Sequence, residues 1–307
     1  MAATQPFGAL AALDAAPVWL GSEPLSAAQL RGRPVLIDFW TYSCVNWLRT
    51  LPYVRAWWRR YAERGLVVIG AHAPEFSFEH DLENVRRAIG ELDVPYPVVI
   101  DNEFAIWRSF ENHYWPAVYL VDGEGRRAYE HFGEGAYEET EREVQRLLSI
   151  DEEIAAIDAT GLAEAADWSE LESPETYLGR ARAERRGQAG GQALALNEWT
   201  LSGTWSVGAE AAVLDAAPGS IAYRFAGRDL NLVLAPPSGG GASSFIVRLD
   251  GRPPGEDHGL DVEPSGAGAV DEPRMYQLVR QRGQIRPRTF EIEFLEAGVG
   301  AYVFTFG

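Results

Sequence analysis

Hydrophobic and polar positions follow two different rhythms along this chain. In the first half, short apolar runs alternate with stretches whose apolar residues recur at helical spacing. Residues 35–40 (VLIDFW) follow Gly32 and Pro34 and predict a buried strand. Residues 44–63 place Leu48, Leu51, Val54, Trp58 and Tyr61 at helical intervals, with Pro52 inside as a kink. The same reasoning predicts strands at 66–72, 97–100, 117–122 and 127–132, and helices at 80–92, 103–111 and 137–148. Gly123-Glu124-Gly125 marks a hairpin turn between the last two strands. Strands alternating with helices predict an α/β sheet covered on both faces. From about residue 192 the rhythm changes to short β-type runs separated by Gly and Pro, ending in AYVFTFG. That spacing predicts a second, all-β domain, a sandwich or jelly roll.

Charge refines the division. Residues 1–150 carry 14 Arg against 21 acidic residues, net −7. Residues 151–175 carry nine acids and no Arg, and residues 176–307 carry 13 Arg against 15 acids. The expected organisation is therefore a first domain at 1–150, an acidic connector at 151–175 and a β domain at 176–307. The whole chain has net charge −18, and all 27 basic residues are arginine. This balance argues against nucleic acid and anionic membrane surfaces as partners. No apolar run approaches 18 residues, so no membrane span is expected. The N-terminal stretch MAATQPFGALAALDAAPVW lacks a basic region, so no secretory leader is expected either.

These 307 residues contain one cysteine, Cys44. An intramolecular disulfide is impossible. The histidines His72, His80, His113, His131 and His258 show no metal-ligand spacing, so neither a metal nor a cofactor is expected. Cys44 lies after a predicted buried strand and in the first turn of a predicted helix. There the helix dipole and unsatisfied N–H groups favour thiolate, the nucleophile toward disulfides and peroxides. A free cysteine is also often a small buried hydrophobe, and position alone leaves both readings open.

The residues around Cys44 carry a resemblance. Asp38-Phe39-Trp40-x-x-x-Cys44 resembles the thioredoxin superfamily signature. Pro52 falls where that family kinks its first active-site helix, and Trp115-Pro116-Ala117 looks like its cis-proline loop. The inserted elements between residues 66 and 111 resemble the redoxin branch. FWTYSCVNWLRTLPYVRAW, VVIGAHAPEF, YWPAVYLVD and HFGEG resemble the soluble part of DipZ-type bacterial thiol-disulfide proteins. Those pair a thioredoxin-like domain with a carbohydrate-binding-like β domain. The resemblance implies an α/β thioredoxin fold with a redoxin-type insertion, then an all-β sandwich or jelly roll. It departs at one point: the family's Cys-x-x-Cys is here Cys44-Val45-Asn46-Trp47, with tryptophan in place of the resolving cysteine. A second thiol must come from outside.

The implied catalytic set is Cys44, Asp38 as buried proton acceptor, and Pro116 against the thiol. Trp40, Thr41, Asn46, Trp47, Arg49, His72, Glu75 and Trp115 stand as supporting residues. Asp38 and His72 each have a structural reading too, as a hydrogen-bonded strand carboxylate and a satisfied core histidine. Trp40 and Trp47 are candidates for an apolar wall over the thiol. The expected function is monothiol thiol-disulfide exchange with protein or low-molecular-weight thiols. Thr41-x-x-Cys44, with Arg49 nearby, also fits a fragment of the peroxiredoxin motif, so a one-cysteine peroxidase acting on peroxide is a second expectation. A third is a redox-inactive module holding peptide, glycan or protein. In the β domain, Trp199, Trp205, Tyr223, Phe225, Tyr276, Phe290, Phe294, Tyr302, Phe304 and Phe306 read as core by their alternation rather than as a sugar platform. Asp250, Asp257, His258 and Asp261 have oxygen and nitrogen donors but read as a solvated loop. A lone cysteine points to the cytoplasm, whereas the resemblance implies a site outside it.

Overall fold

The computed structural model describes residues 8–187 and 193–307. The first seven residues, part of the stretch read for a leader, lie outside the described residues. The chain divides into two compact units, Met1–Ala163 and Glu164–Gly307.

The first unit is built on a six-stranded sheet: β1 (Trp19–Leu20), β2 (Val35–Trp40), β3 (Val67–His72), β4 (Val98–Ile100), β5 (Ala117–Val121) and β6 (Arg127–Phe132), in the order β1-β4-β3-β2-β5-β6. β2, β3 and β4 run parallel, while β1, β5 and β6 are antiparallel to their neighbours. The helices are α1 (Val45–Tyr61), α2 (Leu82–Glu91), α3 (Ala105–Ser109) and α4 (Tyr137–Leu148). Every residue of β2, β3 and β5 is buried, as a sheet covered on both faces requires. One face packs Ile37, Phe39, Ile69, Ala71 and Tyr119 against Leu10, Leu13, Ile106 and Phe110. By the two-residue period of a strand, Asp38, Trp40, Gly70 and His72 point to the other face. β1 and the 3-10 turn Leu10–Ala15 were not anticipated, because two residues of strand or one short turn leave no periodic signal.

α1 buries Trp47, Leu48, Leu51, Val54, Trp57 and Tyr61. The inward tryptophan is thus Trp57, and Trp58, the one the spacing predicted, is half-buried. Pro52 lies inside the helix, where it has no N–H for the i−4 carbonyl. No helix among the described residues is long and apolar enough to cross a membrane.

The second unit contains β7 (Thr176–Tyr177), β8 (Trp199–Val207), β9 (Ala212–Phe225), β10 (Asp229–Ala235), β11 (Ser243–Leu249), β12 (Ala267–Val270), β13 (Arg274–Arg280), β14 (Arg288–Phe294) and β15 (Gly300–Phe306). They form one antiparallel sheet in the order β12-β11-β14-β9-β15-β10-β13, with β8 on β9 and β7 on β15. β9 is the junction. Its last seven residues pair with β14, while Ala212 and Val213 pair with β15. β8 follows β9 along its length, broken by a bulge near Gly203. Gly203 has φ +97° there, and a Cβ would lie 3.0 Å from the Gly219 backbone. Eight of the ten aromatics singled out in this region are buried; Trp205 and Tyr302 are half-buried. The carboxylates of Asp250, Asp257 and Asp261 are engaged by Arg288 and Arg274. Buried Asp229 accepts from Arg280 and Arg228, and Glu164 bridges both guanidiniums, so the buried charges are paired.

Gly70 and Gly90 should respond to alanine with opposite signs. A Cβ on Gly70 would lie 2.8 Å from Trp40 Nε1 and 3.1 Å from the Tyr96 ring. Gly70→Ala is expected to cost about 1–3 kcal/mol in urea unfolding, as overpacking does. Gly90, in α2, has open space where its Cβ would be. Gly90→Ala is expected to gain about 0.5–1 kcal/mol by helix propensity.

Candidate active site

The thiol stands where three segments meet. β2 ends at Trp40, the chain turns through Thr41–Ser43, and Cys44 is the N-cap of α1 with extended backbone (φ −80°, ψ 114°). Its carbonyl accepts the N–H of Leu48 at 3.0 Å, which begins the helix. The side chain does not cap the helix and is half-buried. Sγ lies 3.9 Å from the carbonyl oxygen of Trp115, the residue before the cis Trp115–Pro116 peptide bond. The Trp115 indole N–H donates to the Ala73 carbonyl at 3.0 Å, just beyond β3. Pro116 is buried, and its carbonyl accepts from Gly133 at 2.8 Å. The structure therefore brings Cys44, Trp115 and Pro116 together.

Asp38 is fully buried. Its Oδ2 accepts the Trp47 indole N–H at 3.0 Å and the Tyr96 hydroxyl at 3.1 Å, while Oδ1 has no hydrogen-bond partner. Burial pushes its carboxyl up to about 6, against the two hydrogen bonds, which favour the charged form. Trp47 is fully buried and stacks on Trp40 at 4.3 Å between ring centroids. The residue in the resolving-cysteine position therefore packs into the interior and turns its one polar atom to Asp38.

The remaining candidates separate. His72 ends β3, fully buried, with neither ring nitrogen hydrogen-bonded. Its ring meets Trp40 edge-on at 4.9 Å and lies parallel to Tyr42 at 6.0 Å. Burial first, and then the charge of His80, lower it to about 3, so the imidazole is neutral. Thr41 is buried, and its hydroxyl, after that of Ser43, helps hold the Glu79 carboxyl down. Arg49 is buried and forms a 2.9 Å ion pair with Glu134. The carbonyl of half-buried Asn46 accepts from the Thr50 hydroxyl. Glu75 is half-buried, and its backbone N–H donates to Glu79. Among the described residues no group of three or more His, Cys, Asp or Glu is placed to hold a metal ion.

Three residues of the site escaped the sequence reading: Ser43, Glu79 and Tyr96. Glu79 is fully buried, with its Oε1 accepting the Ser43 hydroxyl at 2.5 Å. Burial raises it to about 7, opposed chiefly by that hydroxyl. The available signal was local: Glu79 is three residues after Phe76, the position from which a carboxylate caps a turn.

Residues 173–307 match a family model described as a thioredoxin like C-terminal domain. The chain is 34% identical over 251 residues to Protein DipZ of Mycobacterium tuberculosis, a match covering 76% of this chain and 35% of DipZ. The chain is homologous to DipZ: a thioredoxin-like redoxin unit followed by a thioredoxin like C-terminal domain. The thiol-disulfide oxidoreductase YkuV of Bacillus subtilis is 28% identical over 134 residues, 44% of this chain and 90% of YkuV. The solution structure of a thioredoxin-like protein in the oxidized form superposes with TM-score 0.42 at 30% identity, covering 47% of this chain and 95% of that one. This redoxin thus spans about a third of the length of its DipZ relatives.

Asp38 gives the site a measurable pH dependence. Its ordinary value of 3.8 rises to about 6 on folding, so the native state holds its proton more tightly than the unfolded chain. Its contribution is most favourable below pH 4 and is lost as pH rises to about 6. Asp38→Asn removes this dependence. The stability of the variant relative to wild type is expected to grow by about 3 kcal/mol across that window, measured by urea unfolding from pH 4 to 7.

Proposed function

We propose that this redoxin carries out monothiol thiol-disulfide exchange through Cys44, with an external thiol completing the cycle. The observation that carries this reading is the half-buried Cys44 thiol at the N-terminus of α1, 3.9 Å from the carbonyl before the cis-proline. Helix N-terminal N–H groups favour the thiolate. The thiolate attacks one sulfur of a substrate disulfide; the S–S bond breaks, a mixed disulfide forms on Sγ, and the other substrate sulfur leaves as thiolate. Trp47 supplies no sulfur for release. A thiolate from a protein or a small thiol then attacks the substrate sulfur of the mixed disulfide; the bond to Sγ breaks, a disulfide forms between the attacking thiol and the substrate moiety, and Cys44 leaves as thiolate. In this reading Pro116 and Trp115 border the thiol, and Asp38 anchors Trp47 from within.

The DipZ relationship lends no support to the cytoplasmic setting that the cysteine content suggested. A setting outside the cytoplasm, where disulfides persist, is part of this proposal. Thr41 and Arg49, which the peroxide reading needs, are both buried, and Arg49 is ion-paired. Eight of the ten singled-out aromatics of the β domain are buried and two half-buried, which supports reading them as core.

The test is iodoacetamide alkylation of the native chain across pH, followed by oxidised glutathione and intact mass. The expected midpoint lies below the free-cysteine value of about 8.5. One glutathione adduct per chain is expected, persisting until an external thiol is added, and Cys44→Ser should form none. A thiol that labels only after unfolding would overturn the reading and leave Cys44 a packing residue.

A further inference from the structure

Glu79 has no part in the exchange chemistry, yet its carboxyl is fully buried beside the loop that presents the thiol. It sits in the short turn Ser77–His80 that follows β3. Oε1 accepts the hydroxyl of Ser43 at 2.5 Å. Oε2 accepts the backbone N–H of Glu75 at 2.6 Å and of Phe76 at 2.9 Å. Ser43 directly precedes Cys44. One side chain therefore fastens the segment leaving β2 to the segment leaving β3. A buried carboxyl costs stability unless it is hydrogen-bonded, and here both oxygens are engaged. An amide or hydroxyl would serve as a mere spacer without the burden of a buried acid.

The titratable groups around it are few. Glu75 is on the same segment, and its charge pushes Glu79 further up. His80 ends the same turn. On the facing segment and on β3, Tyr42 and His72 lie ring against ring, and His72 is neutral at ordinary pH. Glu79 itself is raised to about 7 by burial, so both its forms are populated near neutrality.

We propose that Glu79 is a positioning residue for Cys44, fixing the thiol loop through Ser43 and tuning the thiol by its state of ionisation. The inference rests on the exchange reading above. A neutral Glu79 holds the loop without charge. An ionised Glu79 holds it as a carboxylate, and the added negative charge disfavours a second one on Sγ. In this proposal the charge near the thiol changes as Glu79 titrates, so the reactivity of the thiol follows a two-step profile.

The experiment is the rate of Cys44 alkylation by iodoacetamide from pH 5.5 to 9, on the full chain, with fold monitored by urea unfolding. Wild type is expected to show a lower inflection near pH 7, from Glu79, and an upper one from the thiol. Glu79→Gln keeps the hydrogen-bonding shape and loses the charge. It is expected to lose the lower inflection and to lower the thiol midpoint by about half a unit, about threefold in rate between pH 7 and the midpoint, where wild-type Glu79 is ionised, with no difference well below pH 7. Ser43→Ala, the milder change, is expected to move the lower inflection upward, because the hydroxyl that holds Glu79 down is gone. Profiles of folded Glu79→Gln and Ser43→Ala that superimpose on wild type would overturn the inference and leave the exchange reading intact. A wild-type thiol that does not label in the native state would overturn both.

Discussion

The hydrogen bond from the Trp47 indole to buried Asp38 organises the thiol end of the first unit. A carboxyl with no exposed surface needs donors, and Asp38 takes them from two places, Trp47 on α1 and Tyr96 ahead of β4. The indole then stacks on Trp40, and Trp40 and Tyr96 converge over Gly70, where any side chain would collide. One polar contact thus sets the spacing between α1 and the central strands. The start of α1 is where Cys44 sits, so the thiol's height above the sheet follows from an interaction it does not share. A tryptophan in the resolving position makes this end of the fold a packed wedge in place of a second sulfur.

Below that wedge lies an unusual density of buried polar atoms. Asp38 Oδ1, the Trp40 indole nitrogen and both nitrogens of His72 have no hydrogen-bond partner. Such groups are commonly kept where a fold serves a site and not only its own stability. The effect is visible in the two acids and the imidazole, which burial drives toward their neutral forms.

Much of this was legible from local pattern. The strands of the first unit stand out because covered strands are continuous apolar runs, and α1 because its apolar residues recur every three or four positions. The hand-over from Trp58 to Trp57 shows the limit: adjacent tryptophans differ by one step of helical phase, and only the packing of α1 on the sheet decides which turns inward. Cys44, Trp115 and Pro116 were legible through a motif. Glu79 with Ser43, Tyr96 with Asp38, and Glu134 with Arg49 were not. These pairs lie 36, 58 and 85 positions apart, and no periodicity encodes which polar residue meets which across such distances. The β unit was legible as strands, whereas its path as one sheet depends on pairings that a strand pattern does not carry.

β9 gives that unit a particular mechanical character. Among the described residues, the strands β12, β11 and β14 on one side and β15, β10 and β13 on the other join, along the sheet, only through it. The β9–β15 join is short, two register pairs at Ala212 and Val213. What binds the two sides more broadly is aromatic packing: Phe304 of β15 meets Tyr223 of β9 at 5.0 Å and Phe290 of β14 at 5.9 Å. The sheet is thus two leaves on a single spine, and a load that peels one leaf must break ring contacts before it breaks the ladder. Its toughness resides in the oil between the leaves more than in the stitching that joins them.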